Sequence, residues 1–261
     1  MVGGRVSATR TPGWAIPLAG RLASVLFFVA VPVALILGAV RFAFSWQPVY
    51  TYAVKSYHAD EAAGFPQNEL LRATHSIRTY FTDSRRDLNI TINDASRQPQ
   101  TLFNQQEIAH MRDVKALVHR VYLLLDLAVI YLIIYAVLWL TVWRGSLWSL
   151  ARSALTASAI TIALIVVAGV SSAIDFNQLF TEFHILSFSN DFWQLDPSRD
   201  HLVQIFPQGF WYDITLFVGA MAMGGAVLLA AISAAYLWFD RRSVPAARAG
   251  AAAGAAAPAA K

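Results

Sequence analysis

Four long apolar runs, each bounded by charged residues, constrain this chain more than any other feature. Leu22 to Val40 is uncharged between Arg21 and Arg41, and Val121 to Trp143 carries one charge, Asp126, between Arg120 and Arg144. Ser153 to Ile174 is uncharged between Arg152 and Asp175, and Ile214 to Phe239 between Asp213 and Asp240. A bilayer core is crossed by about 20 apolar residues as helix, and all four runs approach or exceed that length. Backbone amides in lipid need internal partners, so each run reads as a helix. Composition agrees: only 14% of the 261 residues are charged, against about a quarter in a soluble domain. The expected fold class is an all-α membrane protein with four transmembrane helices and a small extracytoplasmic cap. The first run has the basic flank of a signal peptide. It is longer than a usual signal core and no A-x-A site follows, so it reads as an uncleaved anchor.

Charge sets the expected orientation. Segment 1–21 holds Arg5, Arg10 and Arg21 without an acid, the 144–152 connection holds Arg144 and Arg152, and the tail after the last run holds Arg241, Arg242, Arg248 and Lys261 against Asp240. The 175–213 connection has one basic residue, Arg199, and six acids. The positive-inside rule places the first three segments in the cytoplasm. The expected order is therefore a cytoplasmic segment 1–21, a span at 22–44, an outer cap at 45–117 and a span at 118–143. A cytoplasmic loop at 144–152 and a span at 153–175 follow. Then come an aromatic-rich outer loop at 176–212, a span at 213–239 and a disordered Ala/Gly/Pro tail at 240–261. The net charge of +4 is spent on these topology signals, which argues against nucleic acid as a partner. Within the cap, Asn68 to Tyr80 has helical apolar spacing, and Asp87 to Gln100 reads as loop or hairpin. Asn104 with Glu107 three residues later reads as a capping box that starts a helix running toward the second span. Asp126 is expected to snorkel or meet Arg120, or to mark a polar site in the membrane.

With no cysteine, disulfides, thiolate metal sites and a cysteine nucleophile are excluded. No G-x-S-x-G, H-E-x-x-H, Walker A or G-x-G-x-x-G sequence is present. The chemistry that remains lies in the six histidines, all on the expected outer side or its boundary. His110 precedes the second span, with Asp113 three residues on, where a carboxylate can orient or tune an imidazole. The competing reading is a solvated helix start. His184 falls at i, i+4 spacing with Phe176, Phe180 and Phe188, which gives one aromatic helical face with a single imidazole in it. That face reads either as an interfacial aromatic belt or as a partly dry pocket around a titratable group. Phe192 and Trp193 follow as candidate ligand seats. Asp191, Asp196, Arg199 and Asp200 form a polar cluster in which Asp196-Pro-Ser-Arg199 also reads as a turn.

Two blocks carry a resemblance. Glu107-Ile-Ala-His-Met-Arg-Asp-Val-Lys115 resembles the E-x-x-H-M-x-D-V-K element of the Lit-like family of bacterial four-span membrane proteins, which includes lipoprotein intramolecular transacylases. Phe183-His184 followed by Asp191-Phe-Trp193, Asp196-Pro197, Asp200, Leu202 and Phe206-Pro207 resembles the family's second block. The resemblance covers about residues 20–240. It implies catalytic histidines at His110 and His184, at the junction of cap and membrane, in a multi-pass protein of the bacterial cell membrane. It implies transfer of the sn-2 acyl chain of a diacylglyceryl group to the amino group of the lipidated N-terminal cysteine of the same lipoprotein. The implied partners are diacylglyceryl-modified lipoproteins and membrane lipid, with no cofactor and no metal. Arg112, Asp113 and Asp200 are expected to orient the imidazoles. Phe180, Phe183, Phe188, Phe192 and Trp193 are expected to hold acyl chains and exclude water, with Asp196 in the polar cluster beside them. Two other readings stay open: a non-enzymatic membrane protein that binds lipid or a partner, and an outward metal site using both histidines and aspartates.

Overall fold

The computed structural model describes residues 18–255, with side chains from 20 to 241. Arg5 and Arg10 of the expected basic segment, and Lys261 of the tail, lie outside the described residues. The element order is α1 (Leu18–Ser45), α2 (Gln47–Ser56), α3 (Ala59–Ala63), α4 (Gln67–Tyr80), β1 (Thr91–Asn93), β2 (Pro99–Thr101), α5 (Gln105–Thr141), α6 (Leu147–Ile174), α7 (Phe176–Ser187), α8 (His201–Ile205) and α9 (Gln208–Ala255). Among them α1, α5, α6 and α9 are long and apolar enough to cross a membrane. Their most apolar stretches have at most 28% of residues buried inside the protein. Lipid must cover the rest, because apolar surface on this scale is not left to water.

The bundle is built around α1, which touches α5, α6 and α9, while α6 and α9 pack along each other. One end is closed by stacked aromatics. Tyr135 packs on Trp139 at 5.7 Å and on Phe27 at 4.8 Å, and its hydroxyl meets Ser24 Oγ at 3.0 Å. Gly145, in the turn between α5 and α6, passes directly against the Trp139 ring, where a Cβ would collide with the indole.

The cap is a second core at the other end. It buries Leu70, Ile77 and Tyr80 of α4, Ile92 of β1, Ile108 of α5 and Ile205 of α8 together. The apolar spacing read for 68–80 is thus α4, and the loop or hairpin at 87–100 is an antiparallel pair with Ile92 opposite Gln100. The capping box at Asn104 and Glu107 is present in both directions, at 3.0 and 2.7 Å. From it α5 continues unbroken for 37 residues. That is about 55 Å of helix, against a hydrocarbon core of about 30 Å. The first turns, which carry Glu107, His110, Arg112, Asp113 and Lys115, therefore stand outside the span and belong to the cap. Tyr52 and Tyr57 tie the cap to α9, each donating to Asp213 Oδ2 at 2.6 Å.

Two features differ from expectation. Asp126 pairs with Arg41 of α1 at 2.8 Å rather than with Arg120. Arg120 lies six residues from Asp126 on the same helix, more than a full turn away, whereas Arg41 crosses from the neighbouring helix. The tail expected to be disordered from 240 is helical as far as Ala255. Its alanines, the strongest helix formers, extend α9.

Candidate active site

Two separate stretches bring the histidines together. α5 carries His110 on its second turn. After α6, the chain turns at Asp175, whose side chain accepts the Gln178 N–H at 2.9 Å, and α7 begins. α7 turns Phe180 and His184 inward. The stripe Leu179, Phe183 and Leu186 stays outward, with Leu186 85% exposed. A short helix with this apolar outer face suits the membrane interface. His184 is carried on this helix, opposite His110.

Each imidazole is 7% exposed, and their ring centroids are 6.0 Å apart. Phe180 lies 4.3 Å from His184 and Phe183 5.2 Å. Trp193 covers His184 at 5.0 Å, and Phe188 sits 5.2 Å from His110 and 5.7 Å from His184. Of the aromatic face read from the sequence, Phe180 and Phe188 pack on the pair, while Phe176 packs on Phe180 and Tyr212 instead.

The protonation states follow from the surroundings. His184 Nδ1 lies 2.7 Å from the Phe180 carbonyl. A carbonyl only accepts, so Nδ1 carries the hydrogen and Nε2 keeps a free lone pair. Burial pushes His184 below its ordinary value, partly opposed by that hydrogen bond. Burial, reinforced by the neighbouring His184 and opposed by Asp113, pushes His110 down to about 4. Near neutral pH both rings are uncharged. His110 Nδ1 is buried without a hydrogen-bond partner among the described residues. An unpaired buried polar atom costs free energy, and functional sites are where such atoms concentrate.

Polar contacts hold the segment after α7 against the start of α5. Asn190 donates to Asp113 Oδ2 at 2.9 Å, and Gln106 to the Gln194 carbonyl at 2.9 Å. Asn104 donates to Asp200 Oδ1 at 2.8 Å, and the Leu202 N–H to Glu107 Oε1 at 2.6 Å. Glu107 is 1% exposed, and burial raises its carboxyl above the ordinary value.

The expected site residues divide accordingly. His110, His184, Phe180, Phe183, Phe188 and Trp193 converge. Asp113 acts electrostatically on His110 while bonded to Asn190. Asp200 is buried and accepts from Asn104 and from the Asp196 N–H, which holds the chain rather than an imidazole. Asp196 accepts from Ser198 in the expected turn. Arg112 points elsewhere and is paired with Asp87 at 2.6 Å. Phe192 has an exposed ring, while its carbonyl faces Gln106. Glu107 and Asn190 were not singled out as site residues. Glu107 is legible as a cap and as the first residue of the resembling block, and Asn190 leaves no local mark of its partner. Among the described residues no three His, Cys, Asp or Glu side chains are grouped to hold a metal ion.

A four-helix membrane bundle whose cap holds two uncharged imidazoles in an aromatic enclosure defines a class of integral membrane protein with a polar site at its lipid-facing junction. The family model described as lipoprotein intramolecular transacylase Lit matches residues 25–211, well over half of the chain. The chain belongs to that family, a family of acyltransferases. Solved structures agree on the fold. The lipoprotein intramolecular transacylase Lit from Bacillus cereus superimposes with a TM-score of 0.71 at 20% identity, covering 86% of this chain and 98% of that one. A histidine-to-arginine variant of it gives 0.67 at 18% identity, covering 87% and 95%. A histidine-to-alanine variant gives 0.67 at 18%, covering 86% and 96%. No curated protein sequence matches the chain.

Proposed function

We propose that this protein moves the sn-2 acyl chain of a diacylglyceryl-modified lipoprotein to the amino group of its lipidated N-terminal cysteine, with His110 and His184 as the acid/base pair. The observation that carries the reading is the His184 tautomer. Its bond to the Phe180 carbonyl leaves Nε2 as a proton acceptor, on a ring whose centroid lies 6.0 Å from that of a second uncharged imidazole. The amine nitrogen forms a bond to the ester carbonyl carbon, and the bond from that carbon to the sn-2 glyceryl oxygen breaks. The ammonium gives one proton to His184 Nε2 and becomes a free amine. After attack the same nitrogen loses a second proton, which passes to the departing glyceryl oxygen, with His110 polarising the carbonyl through its N–H or relaying that second proton, and His184 returns the first to water. Uncharged rings suit this task, because an imidazolium would repel the substrate's ammonium.

Amine and ester belong to one molecule, so no covalent acyl-enzyme is required. Folding the substrate so that they meet can supply about 7–11 kcal/mol of the barrier. The Phe180, Phe188 and Trp193 rings around the pair would exclude water that would otherwise hydrolyse the ester. In this reading the outward stripe of α7 lies in the outer leaflet, the cap is extracytoplasmic and both termini are cytoplasmic. Mass spectrometry of lipoprotein N-termini, with and without this gene, tests it. Lyso-form N-acyl lipoprotein is expected only with the gene. Its absence in both cases would leave a lipid- or partner-binding protein.

A further inference from the structure

An apolar groove of about 390 Å³ lies on the membrane face of the bundle, away from the histidines. Val29, Val33, Ile36 and Leu37 of α1 form its floor, and Leu124 of α5 and Leu164 of α6 form its walls. Pro32 also lines it. Proline has no N–H for the carbonyl four residues back, so α1 cannot form its regular ladder there. Along α1 the groove runs from Phe28 to Leu37, about 14 Å of helix. One leaflet of a bilayer core is about 15 Å deep, so the groove matches the depth of a single acyl chain. None of its lining residues belongs to the histidine site. His110 and Leu124 are fourteen residues apart on α5, about 21 Å.

Charge identifies the occupant. Arg120 lies one turn above Leu124, toward the cap and on the same helical face. It is exposed, and it makes no ion pair among the described residues. The neighbouring charges cancel or are engaged. Arg41 is paired with Asp126, Lys115 with Asp83, and Asp113 accepts from Asn190. His119 is bonded to the Phe81 carbonyl. Arg120, a cation with no ion pair among the described residues, therefore stands at the cap-side mouth of a leaflet-deep apolar groove. We infer that this groove seats an anionic glycerophospholipid, with its phosphate at Arg120 and one acyl chain between α1, α5 and α6. The seat is separate from the reaction site and does not rest on the transacylase reading.

The test uses the full chain reconstituted in vesicles of equal phosphatidylglycerol and phosphatidylcholine, then extracted and analysed by native mass spectrometry for retained lipid. Wild type is expected to retain phosphatidylglycerol over phosphatidylcholine by about fivefold, the effect of one basic residue at an anionic surface. Arg120→Gln, an exposed change, should abolish the preference, and Leu164→Trp, which fills the groove, should lower retention of both lipids. His110→Ala should leave retention unchanged. Equal retention by wild type, a preference that survives Arg120→Gln, full retention in Leu164→Trp, or loss in His110→Ala would each overturn the inference.

Discussion

Glu107 Oε1 accepts the backbone N–H of Leu202 at 2.6 Å, joining positions 95 residues apart in the chain. The other carboxylate oxygen of Glu107 closes the capping box of α5 at the Asn104 N–H. One buried side chain thus starts the helix that carries His110 and also fixes the segment that follows His184. Glu107→Ala leaves both amides unpaired, at a cost of about 1–3 kcal/mol for each buried donor. Thermal unfolding in detergent should show the loss. Glu107→Gln, which keeps one acceptor oxygen, should lose less. Equal stability of wild type and Glu107→Ala would remove Glu107 from this role.

The two histidines give a pH dependence of known sign. Both are held below the ordinary value of 6.5, His110 at about 4. Their contribution to stability is fully present above 6.5. It declines as pH falls toward 4, because the unfolded chain takes up protons that the folded one refuses. Glu107 is raised and has the opposite sign near its ordinary value of 4.5, so the histidine slope is best read between pH 6.5 and 5.5. The double variant His110→Ala/His184→Ala should flatten it. The acid limb of the rate profile due to the enzyme should likewise lie below pH 6.5. A limb at or above 6.5 would contradict the burial argument.

The outward stripe of α7 separates stability from access. Leu186 is exposed, so Leu186→Lys should change unfolding by no more than about 0.5 kcal/mol in detergent. In membranes the same change puts a charge on the surface that α7 lays against lipid, and turnover of membrane-borne lipoprotein should fall. Unchanged turnover in membranes would mean that this face does not meet lipid.

The close approach of α9 to the cap gives a packing test. A Cβ on Gly209 would lie 2.9 Å from Tyr57 Cε1. Tyr57 is itself fixed by its bond to Asp213. Gly209→Ala should therefore destabilise by about 1–3 kcal/mol through overpacking, read as a lower unfolding temperature. Tyr57→Phe keeps the ring and should not relieve the clash.

The four spans, α4 and the capping box were legible because each leaves a local mark: apolar length, 3.6-residue spacing, or Asn and Glu three apart. The aromatic face around His184 was legible for the same reason, since Phe180 and His184 sit one turn apart. The contacts that set the imidazoles side by side were not. Asp113 with Asn190, Asn104 with Asp200 and Glu107 with Leu202 each join residues more than seventy positions apart, and polar pairs at that range have no periodicity to read. Arg41 with Asp126 is the same case in the bundle. Arg112 shows the converse, because its place beside His110 in sequence suggested a partner that Asp87 supplies instead. The tautomer of His184 depends on a carbonyl one turn back, which becomes visible only once α7 is known to be a helix.

The proposed transfer requires both imidazoles. The most direct measurement is mass spectrometry of a lipoprotein N-terminus in membranes carrying wild type, His110→Ala or His184→Ala, with each variant's fold checked by its unfolding temperature. Acid/base groups of this kind contribute about 10²–10⁴-fold. The expected result is lyso-form N-acyl product with wild type and at most about a hundredth of it with either folded variant. Full product formation by either folded variant would contradict the account.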